Sequence, residues 1–244
     1  FANKKYISNS TQIDDRLLDE FDYYLKSQNL SMGTISTHYS SLSSFFNLCR
    51  EEGWLQVSTY WFKGKTNIRS PKNNQIEYIP EEVWQQLDEH LHQLPESFQR
   101  MIVVIRSTGL RVGELLNLPL DCLRQRGQQW RLRFLTEKYK TIDELPICQE
   151  LVAVIKEQQD YIRKHFGDSY NNLFNSTNGK SFYVPTPQVM NRQSFNGYLN
   201  KLAKEQNICT TEGKIWHFKS HQFRKTVATV MTNAGVRDLI IQKY

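Results

Sequence analysis

Apolar residues return at helical spacing through most of this 244-residue chain. Ile13, Leu17, Phe21 and Leu25 recur every four residues and predict an amphipathic helix over 12–27. Asn29 and Ser31 supply a break and a cap. A second helix over 34–52 then places Ile35, Tyr39, Leu42, Phe46 and Cys49 on one face, and Gly53 ends it. Trp54, Leu55, Trp61 and Phe62 read as apolar cover for this small helical unit, and Tyr23 and Tyr24 as core. Further on, Pro80-Glu81-Glu82 opens a helix continued by Val83, Leu87 and Leu91, with the two acids against its positive end. Helices are expected over 98–107, 112–117, 150–165, 191–206 and 221–234. Between them, Trp130, Leu132 and Phe134 alternate with Arg131 and Arg133, the pattern of a half-exposed strand. Residues 136–144 read as a turn, Leu145-Pro146-Ile147 as the return strand, with Pro146 at an edge, and 173–184 as holding another short strand.

The fold class that follows is mainly α: a small all-α domain over 1–66, then an α+β domain over 77–244 with a small antiparallel sheet. The segment between them, 67–76, belongs to a stretch running from Lys63 to Asn74 with Lys63, Lys65, Arg69 and Lys72, no acid and no apolar periodicity. It is a tether, and its cations could lie along nucleic-acid phosphates. The formal net charge of +6 fits an anionic partner without requiring one. Cys49, Cys122, Cys148 and Cys209 are scattered, without the clustering a zinc site needs, and read as reduced thiols of a cytosolic protein, most of them packing residues. No apolar run is long enough to span a bilayer, so no membrane partner is expected. The chain begins at Phe1, which suggests a fragment.

Two short constellations carry chemistry. The first is Ser107-Thr108-Gly109-Leu110-Arg111-Val112-Gly113-Glu114-Leu115-Leu116-Asn117-Leu118. The second is His221-Gln222-Phe223-Arg224-Lys225-Thr226-Val227-Ala228-Thr229, with Asn233-Ala234-Gly235 after it. Lys138 lies between them in the hairpin turn, eight residues before Pro146. The first stretch resembles the arginine box of the tyrosine recombinase (phage integrase) family, the second its H-x-x-R box, and Lys138 its turn lysine. The three occur in the family's order over about residues 100–240, and the N-terminal helices resemble, more weakly, its core-binding domain.

The residue types suit that chemistry on physical grounds. Cleaving a phosphodiester puts charge on non-bridging oxygens, and a guanidinium's planar fork of donors can clamp such oxygens. Arg111 and Arg224 are the candidates. A buried lysine can protonate the leaving sugar oxygen: Lys138 is the candidate, Lys140 the second. His221 can donate a hydrogen bond or move a proton. Glu114, one turn after Arg111, could orient it or serve structure alone. Lys225, with Lys63, Lys65, Arg69 and Lys72, is a candidate DNA contact. His217 and His221 have metal-pair spacing but no third ligand, and His38, His90, His92 and His165 read as surface residues.

The resemblance implies a site-specific recombinase that cleaves and rejoins duplex DNA through a 3′-phosphotyrosyl intermediate, with no cofactor or metal. It implies a homo-tetramer on two recombination sites, no small-molecule substrate, and action in the bacterial cytoplasm at the nucleoid. The sequence is also similar to the transposases of the Tn554 group. The family's nucleophile is expected beyond residue 244, with Tyr244 a packing residue, so this stretch alone is expected to bind DNA without cleaving it. The turn departs from the family in its acid pair Asp143-Glu144, and Lys225 stands where His is commoner. Alternatives are a type IB topoisomerase, a recombinase homologue that only binds DNA, and a helix-turn-helix regulator.

Overall fold

The computed structural model describes residues 12–54, 58–66, 78–178, 184–237 and 241. Leu55, Arg69, Lys72 and Tyr244 lie outside them. The chain divides into two compact units, Phe1–Gln75 and Ile76–Tyr244.

The first unit is built on two helices. Asp14 starts α1 (Asp15–Ser27), its carboxylate accepting the Leu17 N–H at 2.8 Å. Ser31 starts α2 (Met32–Glu51), accepting from Thr34 N–H at 3.1 Å, after Asn29 has broken the chain with φ of 51°. Ile35, Tyr39, Phe46 and Cys49 are buried along α2 as expected. On α1 the buried residues are Leu18 and Leu25, not Leu17. A four-residue spacing drifts 40° per step around a 3.6-residue helix, so Leu18, Phe21 and Leu25 make a straighter stripe. Phe62 closes this core, with Trp61 packed against it. Each such large side chain, fully buried, contributes about 1.5–3 kcal/mol over exposure, which makes packing rather than helix propensity the main stabiliser. Two aromatic expectations are corrected: Tyr23 is 79% and Trp54 67% exposed. Tyr23 faces away from the α1 stripe, and Trp54 follows the left-handed Gly53 (φ 71°), which turns the chain off the α2 face.

The second unit surrounds α4 (Glu96–Thr108), where Phe98, Met101, Ile102, Val104 and Ile105 are all buried. Before it comes α3 (Glu81–His90), started by Pro80. After it come α5 (Val112–Leu116), then β1 (Leu123–Arg126), β2 (Gln129–Leu135) and β3 (Ile142–Ile147), an antiparallel sheet in the order β1-β2-β3. Leu132 pairs with Leu123 on one side and Leu145 on the other, so these three share the core face with Phe134. Pro146 sits opposite Arg131 on the edge strand, where its missing N–H costs no ladder bond. The hairpin turn is shorter than expected, because pairing already begins at Ile142↔Leu135. β1 was not expected, since Leu123-Arg124-Gln125-Arg126 offers one apolar residue and no alternation to read. The long α6 (Gln149–Phe166), a small β4–β5 pair (Ser176–Asn178 and Val184–Thr186), α7 (Arg192–Glu205) and α8 (Ser220–Asn233) complete the unit. The mainly helical fold with a small antiparallel sheet agrees with the sequence reading.

Candidate active site

Three local devices hold the two arginines. The first is the end of α4. Gly109 adopts φ of 63°, a conformation L side chains rarely take, and its N–H caps the helix by donating to Ile105 O at 2.9 Å. A Cβ there would meet Val227 of α8 at 3.2 Å, so glycine also lets the 109–111 loop lie against α8. Arg224 Nη1 donates to Gly109 O at 2.9 Å, tying the H-x-x-R helix to the loop that carries Arg111.

The second device is Glu114. Its side chain is only 1% exposed and its carboxylate accepts three hydrogen bonds. They come from Arg111 N–H (2.8 Å), Arg111 Nη1 (3.0 Å) and Glu137 N–H (3.0 Å). The last lies in the β2–β3 turn, one residue before Lys138. One buried carboxylate thus fixes the start of α5, the Arg111 guanidinium and the approach to the turn lysine.

The third device sets α8. Asn200 on α7 accepts from Phe218 N–H (2.8 Å) and donates to Phe218 O (2.9 Å), while Asn196 accepts from Ser220 N–H (3.0 Å). At the helix start, Gln222 accepts from Lys219 N–H at 2.9 Å. Further along, Thr226 Oγ1 accepts from Ile79 N–H at 2.9 Å. His221 and Arg224 therefore stand on a helix clamped at its beginning and along one side.

These placements couple the groups electrically. Burial, followed by repulsion from Arg111, lowers the Arg224 pKa from its ordinary value, with Glu114 opposing. A guanidinium starts so high that Arg224 stays cationic. Burial, then Lys225, Arg224 and Arg111, lowers the His221 pKa, which favours a neutral imidazole. Arg111, Arg224, Lys225 and His221 thus share one field, with Glu114 the anion in it.

Lys138 is exposed in the turn, its Nζ 4.9 Å from the Tyr139 ring centre, rather than buried. Lys140 is exposed beside it, with φ of 55°. In the first unit, Lys63 is exposed and its Nζ lies 5.3 Å from the Tyr60 ring centre. Lys65 is engaged: its Nζ stands 3.5 Å from the Trp61 ring centre and 3.9 Å from both Asp19 and Asp22. His217 precedes α8 rather than lying on it, and no cluster of three metal-ligating side chains occurs among the described residues.

Sequence reasoning missed four participants: Asn196, Asn200, Glu137 and Arg192. Glu137 and Arg192 form an ion pair that lies over Gly113. The two asparagines sit four apart on an otherwise amphipathic helix, a signal that could have been read as a pair of backbone clamps.

The sequence signature of the Phage integrase family matches residues 77–244, and that of the Phage integrase SAM-like domain residues 1–68. Transposase B from transposon Tn554 of Staphylococcus aureus (strain Mu50 / ATCC 700699) is 31% identical over 230 residues, covering 92% of this chain. The chain spans 35% of the length of that relative. Among solved structures, the XerH site-specific recombinase bound to difH substrate superposes with a TM-score of 0.65 at 14% identity, over 99% of this chain and 67% of that one. A lambda integrase from a tetramer bound to a Holliday junction gives a TM-score of 0.63 at 14% identity, over 95% of this chain and 63% of that one. The two structural likenesses show a shared fold.

Proposed function

The chain belongs to the phage integrase family of tyrosine recombinases, and from that premise we propose that it is the DNA-binding and catalytic part of a site-specific recombinase moving a mobile element. The observation that carries this reading is the carboxylate of Glu114 tying Arg111 to the turn of Lys138, with Arg224 and His221 in the same field. Two fixed guanidiniums beside a neutral imidazole suit a phosphodiester whose non-bridging oxygens gain charge.

In the proposed step a tyrosine hydroxyl attacks a DNA phosphorus and the bond from phosphorus to the 5′ oxygen breaks. Arg111 and Arg224 hold the non-bridging oxygens. The phenolic proton passes to His221, and Lys138 delivers one to the departing 5′ oxygen. The product is a 3′-phosphotyrosyl bond and a free 5′-hydroxyl. Attack by the 5′-hydroxyl of another strand reverses the chemistry and exchanges strands, so the adduct itself conserves the bond energy. The reading needs no cofactor. Lys63 and Lys225 are the described cations we assign to DNA backbone contacts, and Lys65 could join them only by leaving Asp19 and Asp22. Duplex DNA with two recombination sites, a homo-tetramer and a place in the bacterial cytoplasm complete the proposal. No helix among the described residues is long and apolar enough to cross a membrane.

The test uses the full-length protein and a nicked duplex from an end of its element, with a denaturing gel to detect covalent protein–DNA product. A band that maps to a tyrosine and disappears with Arg111→Ala supports the reading. Salt-sensitive binding without any band would favour the DNA-binding homologue. Relaxation of supercoils without strand exchange would favour the topoisomerase.

A further inference from the structure

Arg192 is the first residue of α7, where a cation opposes the helix dipole, and no acid occupies the first turn to offset it. Its guanidinium reaches instead to Glu137 in the β2–β3 turn. The pair rests on α5: a Cβ added at Gly113 would come within 2.6 Å of Arg192 Nη2 and 2.9 Å of Glu137 Oε2. Three separate segments therefore meet at one point, and Gly113 makes room for them. Glu137 is held twice, through its N–H on Glu114 and through its carboxylate on Arg192. Beyond it, the turn is closed at its base by Thr136 and Thr141, through Thr136 N–H to Thr141 O at 2.8 Å and Thr141 N–H to Thr136 Oγ1 at 3.1 Å. Lys138 and Tyr139 stand exposed at its tip. Glu137, the residue next to Lys138, is thus the point at which the turn is anchored to α5 and α7.

We propose that Arg192, acting through Glu137 across Gly113, is a positioning residue that aims Lys138 at the departing 5′ oxygen. The proposal rests on the assignment of Lys138 as the proton donor. Arg192 is 56% and Glu137 29% exposed, so the pair is a poor stabiliser of the fold and its removal leaves folding intact. Its effect lies in geometry, where a displacement near 1 Å can cost about 100-fold in rate.

The experiment compares the full-length protein with its Arg192→Ala, Glu137→Ala, Arg192→Lys, Gly113→Ala and Lys138→Ala variants on two nicked duplexes. One carries the ordinary phosphodiester, the other sulfur in place of the bridging 5′ oxygen. A thiolate departs without a proton, so the second substrate bypasses the acid. Arg192→Ala and Glu137→Ala are expected to cleave the ordinary ester about 10–100-fold more slowly with unchanged DNA affinity. The double variant should be no slower than either single one. Arg192→Lys should restore part of the rate, and Gly113→Ala, which puts a methyl where the charges meet, should lose part of it. All the slowed variants should recover on the sulfur substrate, as Lys138→Ala should. Normal rates for both Arg192→Ala and Glu137→Ala overturn the proposal, as does a loss that sulfur does not repair while Lys138→Ala is repaired. If Lys138→Ala is itself unimpaired, or impaired without repair, the proton-donor assignment fails and this proposal falls with it.

Discussion

Replacing Glu114 by alanine is the sharpest test of how the site is built. The carboxylate is almost wholly enclosed and accepts from three donors on two chain segments. Its loss leaves the N–H groups of Arg111 and Glu137 without partners and the Arg111 guanidinium without its counterion. A hydrogen bond to a charged group is worth about 1.5–3 kcal/mol, and breaking a buried pair costs about 3–5 kcal/mol. Arg111 is 39% exposed, so water can reclaim part of its charge and the ion-pair contribution is discounted. The expected loss is about 2–4 kcal/mol, or a fall in Tm of about 5–15 °C for a unit of this size. Glu114→Gln keeps one accepting oxygen but turns an NH2 toward the remaining donors, and should lose less, about 1–3 kcal/mol. Circular dichroism melting gives both numbers, and amide exchange at Arg111 and Glu137 localises them. A Glu114→Ala protein melting within about 1 °C of the parent would refute the reasoning, since such a surface-like effect is incompatible with three enclosed bonds. So would a large fall without faster exchange at Glu137.

Three further outcomes are expected. His221 should titrate below its ordinary 6.5 by imidazole NMR. In the window between that lowered midpoint and 6.5 the unfolded chain binds the extra proton. Stability should therefore fall as pH drops through the window and level off beneath it, a slope that His221→Asn removes. Gly109→Ala should cost about 1–3 kcal/mol in urea unfolding, because φ of 63° and contact with Val227 at 3.2 Å both resist a methyl. Adding Val227→Ala removes the Cγ contacts but keeps the Cβ at 3.2 Å, so it should return only part of the steric cost, measured as a non-additive double-mutant cycle. Asn200→Ala, which strands the N–H and C=O of Phe218, should cost about 1–3 kcal/mol by the same assay and broaden the His221 resonances. A sharp, unmoved His221 signal would show that Asn200 does not position the start of α8.

What the sequence made legible was local. Asn29, Ser31 and Gly53 marked helix ends because capping chemistry acts within a few residues, and the α2 face could be read from its spacing. Both arginine boxes were visible for the same reason: each is a short contiguous run, the first over the end of α4, the 109–111 loop and α5, the second on α8. What it hid depends on partners distant in the chain. β1 exists because β2 pairs with it, not because its own residues alternate. The dual attachment of Glu114 needs the turn to fold back on α5, and Arg192 meets Glu137 from 55 residues away with no periodicity to announce it. The exposure of Tyr23 and Trp54 likewise follows from which side of a helix or turn the core lies on, which composition does not encode.

The charge pattern of the site explains why so much local fastening is present. Arg111 and Arg224 repel one another, Lys225 adds to the field, and Glu114 is largely spent on Arg111 and the turn. Left to themselves such groups would swing apart into solvent, since long cationic side chains gain rotamer freedom there. Here the backbone of Gly109 holds Arg224, the carboxylate of Glu114 holds Arg111, and the amides of Asn196 and Asn200 hold the start of α8. Each fastening is made to a neutral group or a buried anion that is itself fixed, so the positive field survives folding instead of being neutralised by mobile surface acids. A field assembled in advance costs stability in the free protein and returns it when charge appears between the cations, which is the physical form of transition-state complementarity. On the proposed reading that charge is a phosphoryl centre under attack, and Arg111 and Arg224 are the cations placed in advance to meet it.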